Sequence, residues 1–213
     1  MTGYISDQTL QDKASQLLAR YERKHTKVTY PPIPVERIVE NFLGLNIVWE
    51  GIPEPRGKTI LAGLNALEGE VVFNEKRRRV FDETAWLYNT ALAHESGHWE
   101  VHVDKAMLQQ PALPGFNKEF RCLYKSDGPG QEPEEVQAHK FMAYLLIPSS
   151  LLTEAIQGLD LLEWQTLYRL RDLFRVTISA LTIRLERLNL LYIVDGELYP
   201  SRQEYEGQRR LMP

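Results

Sequence analysis

Residues 83–103 read ETAWLYNTALAHESGHWEVHV and residues 134–147 read EEVQAHKFMAYLLI. The fold turns on how these two stretches meet. The first runs some twenty residues with no proline and a single glycine, and Asp82 is placed to cap it, so the spacing predicts a long central helix from Glu83. Inside it, His94-Glu95-Ser96-Gly97-His98 is an HExxH pattern. Residues four apart on a helix share a face, so His94 and His98 can grip one ion while Glu95 is directed at a water which that ion holds. At the chain's own His and Glu frequencies the pattern arises by chance about 0.01 times, which sets coincidence aside. Zinc suits it, because a catalytic zinc takes three protein ligands, keeps one position open for water and lowers the pKa of that water toward neutrality.

A third ligand has to come from elsewhere. His102 continues the four-residue spacing, but eight residues at about 1.5 Å rise put it about 12 Å from His94, too far for both to reach one ion. It remains a candidate for a contact behind the ligands or with substrate, as does His139. The second stretch supplies the missing group. Glu135 and His139 lie four apart, and the small Ala138 between them allows a close approach to the first helix. Glu135 completes a His₂Glu set, whereas Glu134 points about 100° away and reads as solvated. Phe141, Leu145 and Leu146 read as core, and so do Trp86, Tyr88 and Trp99. Tyr88, Tyr144 and His139 are the candidates for protonating a leaving amine or steadying an oxyanion.

Outward from these helices, Ser6 to Lys24 has helical periodicity, and a stiff connector, TKVTYPPIP, follows it. Val35 to Leu43 reads as a helix with Pro34 at its start and Gly44 at its stop. LNIVW at 45–49 suits a buried strand, and 59–74 reads as two strands around Glu68-Gly69-Glu70. Residues 104–133 are rich in proline and glycine and read as an irregular excursion that serves or covers a site. After an interruption at Pro148 come helical stretches SSLLTEAIQ, LLEWQTLYRLRDLF and TISALTIRLERLN, then a hairpin around Asp195-Gly196. The expected class is α+β: a small twisted sheet on the HExxH helix, with a helical C-terminal lobe that has a helix-turn-helix cadence and ends in the hairpin. The division expected is a metallopeptidase domain over 1–150 and the helical lobe over 151–213.

Composition bounds the partners. The 213 residues carry 25 Lys+Arg against 29 Asp+Glu, a formal charge of -4, which excludes a surface built wholly for nucleic acid or anionic membrane. From Glu163 to Leu191, Arg169, Arg171, Arg175, Arg184 and Arg187 face Glu163, Asp172 and Glu186, a balance too weak for the basic stripe that phosphate contacts need. The Lys76–Arg79 run reads as a solvated turn, so direct nucleic-acid contact is not expected. The single cysteine, Cys122, can form no internal disulfide and no thiolate cage, although it lies between the two motifs, where a cysteine can block a zinc ion. A polar N-terminal stretch and the lack of any long apolar run point to a cytoplasmic protein with no membrane contact.

The two motifs also carry a family resemblance. AHESGHWEVH (93–102) resembles the AHElGHllLH segment of the ImmA/IrrE-like metallopeptidases, and EVQAHKFMAYLLIP (135–148) resembles their second signature, ExxANxFAxxLLMP. PPIPVERIVENFLGLNIVW (31–49) and VVFNEKRRR (71–79) are similar to the segments before that family's active helix. LRDLFRVTISALTIRLERLNLL (170–191) is similar to its FxVSxxAxxxRLxxLGL segment, so the likeness spans most of residues 28 to 191. It implies zinc on His94, His98 and Glu135 with Glu95 as catalytic base. The family's Asn is His139 here, and its aliphatic residue inside HExxH is Ser96. The substrate implied is a helix-turn-helix transcriptional repressor, cut selectively. Set against this zinc endopeptidase is a metal-containing binding module acting through the C-terminal lobe. Glu95 separates the two, because a structural metal needs ligands but no base.

Overall fold

Ser6 opens α1 (Asp7–Lys24) by accepting from the Thr9 amide at 3.1 Å, and Leu10, Ala14, Leu17 and Tyr21 form its buried stripe. The computed structural model describes residues 5–57, 59–84, 86–108, 119–124 and 133–211, without the side chains of 107, 119–124 and 209–211. After the connector, α2 (Val35–Arg37) runs into a π-helical turn, Ile38–Leu43. Gly44, at φ +71°, ends it in the left-handed conformation that suits glycine.

Four strands follow in the order β1-β3-β2-β4: β1 (Asn46–Glu50), β2 (Thr59–Asn65), β3 (Glu70–Asn74) and β4 (Glu119–Tyr124). β2 and β3 pair antiparallel with Ala62 opposite Phe73, as the sequence suggests, and β1 lies parallel to β3 with Trp49 opposite Phe73. β1 is a half-buried edge strand and not the buried strand expected of LNIVW, because only β3 covers it on one side. β4 was not foreseen: it pairs antiparallel with β2 out of the stretch read as irregular, and residues 109–118 and 125–132 of that stretch lie outside the described residues. Cys122 sits opposite Ala62 in this ladder, and the blocking role considered for its side chain likewise lies outside what is described.

The central helix starts later than its sequence suggests. A 3₁₀ turn (Glu75–Arg77) leads into α3 (Arg78–Glu83), which stops at Thr84, so Asp82 ends one helix and does not cap the next. Trp86 takes φ +62°, and α4 runs from Leu87 to Val101. Tertiary contact overrides local propensity here, because the Trp86 indole donates to Asp172 at 2.9 Å and the Arg175 guanidinium lies 5.3 Å above its ring. Trp49, Phe73, Phe81 and Tyr88 stack between the sheet and the start of α4. The three arginines of the basic run are engaged: Arg77 pairs with Glu54, Arg78 with Glu75 and over Trp49, and Arg79 with Glu83.

Past the short α5 (Lys105–Leu108), α6 (Pro133–Leu146) packs along α4 on one side and α1 on another, with Phe141, Leu145 and Leu146 buried as expected. The remaining helices are α7 (Ser149–Ala155), α8 (Trp164–Phe174) and α9 (Ile178–Arg187), the last two joined by a turn at Arg175–Thr177. Thr177 caps α9 by accepting from Ala180 at 3.3 Å. Arg184, 2% exposed, donates to the Ile147 carbonyl at 3.1 Å and to Ser149, which clamps α9 to the end of α6. One buried apolar cluster accordingly includes residues on both sides of position 150, from Leu10 to Leu191. β5 (Tyr192–Val194) and β6 (Glu197–Tyr199) make the hairpin, with Asp195 and Gly196 both at positive φ, and an unanticipated α10 (Arg202–Leu211) follows. Among the described residues no helix is long and apolar enough to cross a membrane.

Asn74, fully buried, ties the sheet to the approach to α3. Its amide donates to the Ile60 carbonyl at 2.8 Å, and its oxygen accepts from the Ile52 and Lys76 amides at 3.3 and 3.2 Å. Asn74→Ala should cost about 2–3 kcal/mol, since backbone groups are left unsatisfied in a dry interior. Urea unfolding of the two chains at matched metal content measures this directly.

Candidate metal centre

α4 is buried on nearly every side from Thr90 to His98, so its polar groups must be satisfied inside the protein or by something bound there. His94 and His98, one turn apart, are 1% and 0% exposed. Glu135 comes from the first turn of α6 with a side chain 17% exposed. Its Oε2 stands 3.3 Å from Nε2 of His94, its Oε1 stands 3.2 Å from Nε2 of His98, and the two Nε2 atoms are 3.1 Å apart. Donors around a tetrahedral zinc, each about 2.0–2.1 Å from it, are separated by about 3.3 Å, so the two ring nitrogens and the carboxylate facing them already stand near ligand spacing. These residues lie close enough to bind a metal ion.

The close approach of α4 and α6 makes this spacing. A Cβ on Gly97 would meet the Ala138 carbonyl oxygen at 3.1 Å, its Cα at 3.2 Å and Phe141 Cδ1 at 3.2 Å. Ala138 therefore does what its size suggests, and Gly97 is its counterpart on α4. Ser96, the departure from the family pattern, is absorbed within α4 by donating to the Ala93 carbonyl at 2.8 Å.

The electrostatics favour a cation. Burial lowers the pKa values of His94 and His98, partly opposed by Glu135, so both rings are neutral with lone pairs to give. For Glu135, desolvation would raise the pKa, yet hydrogen bonding to both histidines holds it well below the usual carboxylate range. Glu95 is different. It is fully buried, both carboxylate oxygens lack a hydrogen-bond partner among the described residues, and desolvation followed by repulsion from Glu135 raises its pKa. An orphaned carboxylate beside three converging donors fits a site that holds a cation and water.

Both ligand histidines are backed by imidazoles. Nδ1 of His94 lies 2.7 Å from Nδ1 of His139, which stands exposed at the rim. Nδ1 of His98 lies 3.1 Å from Nδ1 of the buried His102, whose Nε2 meets Oε1 of Gln137 at 2.9 Å. His102 thus stands behind His98, one of the places its four-residue spacing suggests. Gln137 carried no signal in the sequence. Two other candidates are engaged elsewhere: Tyr88 donates to Glu36 at 3.1 Å and Tyr144 to Asp7 at 3.2 Å. Comparison with protein-family models finds no match, and neither does comparison with curated proteins.

Two outcomes follow from this geometry. Gly97→Ala should push α6 outward by a few tenths of an ångström, costing about 1–3 kcal/mol and weakening metal binding roughly tenfold or more; thermal unfolding and chelator competition read the two effects. In the metal-free chain, Glu95→Gln should be stabilising. A carboxyl with a raised folded-state pKa gives its full stability only below its ordinary value of 4.5 and loses it as pH rises. The stability advantage of Glu95→Gln over the native chain should therefore widen as pH rises from there toward neutrality.

Proposed function

We propose that the chain is a zinc-dependent endopeptidase. The observation that carries this reading is Glu95: a fully buried carboxylate with no hydrogen-bond partner among the described residues, next to a His₂Glu donor set, is costly to keep and unnecessary for a metal that only holds a fold. Zinc on His94, His98 and Glu135 would polarise the scissile carbonyl and acidify the attacking water. Glu95 takes the proton from that water as its oxygen bonds to the carbonyl carbon, then delivers the proton to the departing amine nitrogen. His139, exposed and 2.7 Å from His94, is placed to contact the substrate.

The resemblance to the ImmA/IrrE-like metallopeptidases supports the substrate class: a regulatory protein, in particular a helix-turn-helix transcriptional repressor, cut at one or a few bonds. The α8–α9 pair, with Tyr168 and Ile183 exposed, offers surface away from the donor set on which a folded partner can be held, so that affinity need not come from residues beside the scissile bond.

The purified chain should hold about one zinc, and His94→Ala or Glu135→Ala should lose it. Glu95→Gln should keep the ion while cleavage falls by about 10²–10⁴-fold. Metal analysis and incubation with candidate repressors and with casein test both parts together. Metal retained by Glu135→Ala but lost by Glu134→Ala or His139→Ala would overturn the ligand set. Rapid digestion of casein with no discrete repressor fragments would overturn the substrate class.

A further inference from the structure

The relay behind His98 has a direction, and Gln137 sets it. His102 and Gln137 are both 5% exposed, in contact at 2.9 Å through Nε2 of the ring and Oε1 of the amide. An amide oxygen can only accept, so the hydrogen of this bond sits on Nε2 of His102. In its neutral form His102 then presents Nδ1 as an acceptor to Nδ1–H of His98 across 3.1 Å. Nε2 of His98 is thereby left with its lone pair, and this is the atom facing His94 and Glu135.

We propose that His102, oriented by Gln137, is the positioning residue that fixes the tautomer and ring orientation of His98 for metal binding. The proposal rests on the metal-centre reading and deepens it. Ligand histidines ordinarily donate their far N–H to a carboxylate, a carbonyl or water. Gln137 lies two residues after Glu135 on α6, so one helix supplies both the third ligand and the anchor of the relay, and His102 closes α4 as its C-cap.

The test compares His102→Phe, which keeps a ring but no acceptor, with His102→Asn, which keeps an acceptor near the Nδ1 position. Zinc affinity is measured by competition with a chromophoric chelator, and geometry by the visible absorption of the cobalt-substituted protein. His102→Phe should weaken zinc binding by about 10–100-fold and change the cobalt spectrum, with His102→Asn returning to within a few-fold of the native chain. Gln137→Leu should lose part of the affinity and add nothing on top of His102→Phe. In zinc-loaded protein labelled with ¹⁵N-histidine, a coupling across the hydrogen bond should join Nδ1 of His98 to Nδ1 of His102, with the His102 proton on Nε2. Equal losses in the two His102 variants, unchanged affinity in both, or a proton on Nδ1 of His102 would overturn the proposal. If His102→Phe does not fold, Gln137→Leu and the labelled native chain decide. A native chain that takes up no metal sinks the metal-centre reading and this proposal with it, while stoichiometric metal indifferent to His102 sinks this proposal alone.

Discussion

Two carboxylates, Glu95 and Glu135, share a largely buried space, and among the described residues only Glu135 has hydrogen-bond partners. Desolvation and, after it, repulsion from Glu135 raise the pKa of Glu95. A divalent ion at these donors would remove the conflict, because its charge would balance both groups while neutral imidazoles complete the surroundings. The surrounding structure serves this arrangement: a helix buried from nearly every side, a second helix pressed against it, and a shell that keeps the two in register.

That shell draws on the whole chain. α1 covers the outer side of α6, the aromatic stack of Trp49, Phe73, Phe81 and Tyr88 seats the start of α4 on the sheet, and Arg184 clamps α9 to the end of α6. Trp86 ties the beginning of α4 to α8 through Asp172. Residues beyond position 150 thus hold both ends of the helix pair that carries the donors.

Much of this was legible because helix periodicity is local. The four-residue spacings of His94 with His98 and of Glu135 with His139 place each side chain on a face, and small residues mark where faces can touch. The α+β class and the order of most elements follow from the same periodicities and from turn residues such as Gly44 and Asp195-Gly196. What escaped depends on partners distant in sequence. The break before α4 comes from Trp86 being drawn to Asp172, and β4 is held by pairing with β2 inside a stretch whose prolines and glycines suggest irregularity. β1 has an apolar composition suited to burial, yet its place at the sheet edge is a matter of strand order, which composition does not encode. Gln137 is an ordinary helix residue until the fold sets it against His102.

The contact between Gly97 and Ala138 has a consequence for how such a chain can change. Helix spacing elsewhere in a core is negotiated between side chains, and a larger residue on one side can be offset by a smaller one opposite. Here backbone meets backbone within 3.2 Å of where a Cβ would stand, so nothing is left to trim in exchange. Most of the core can therefore drift by paired substitution while this crossing stays fixed. The separation of the donor atoms is inherited with the glycine, independently of the residues that make one sequence look like another.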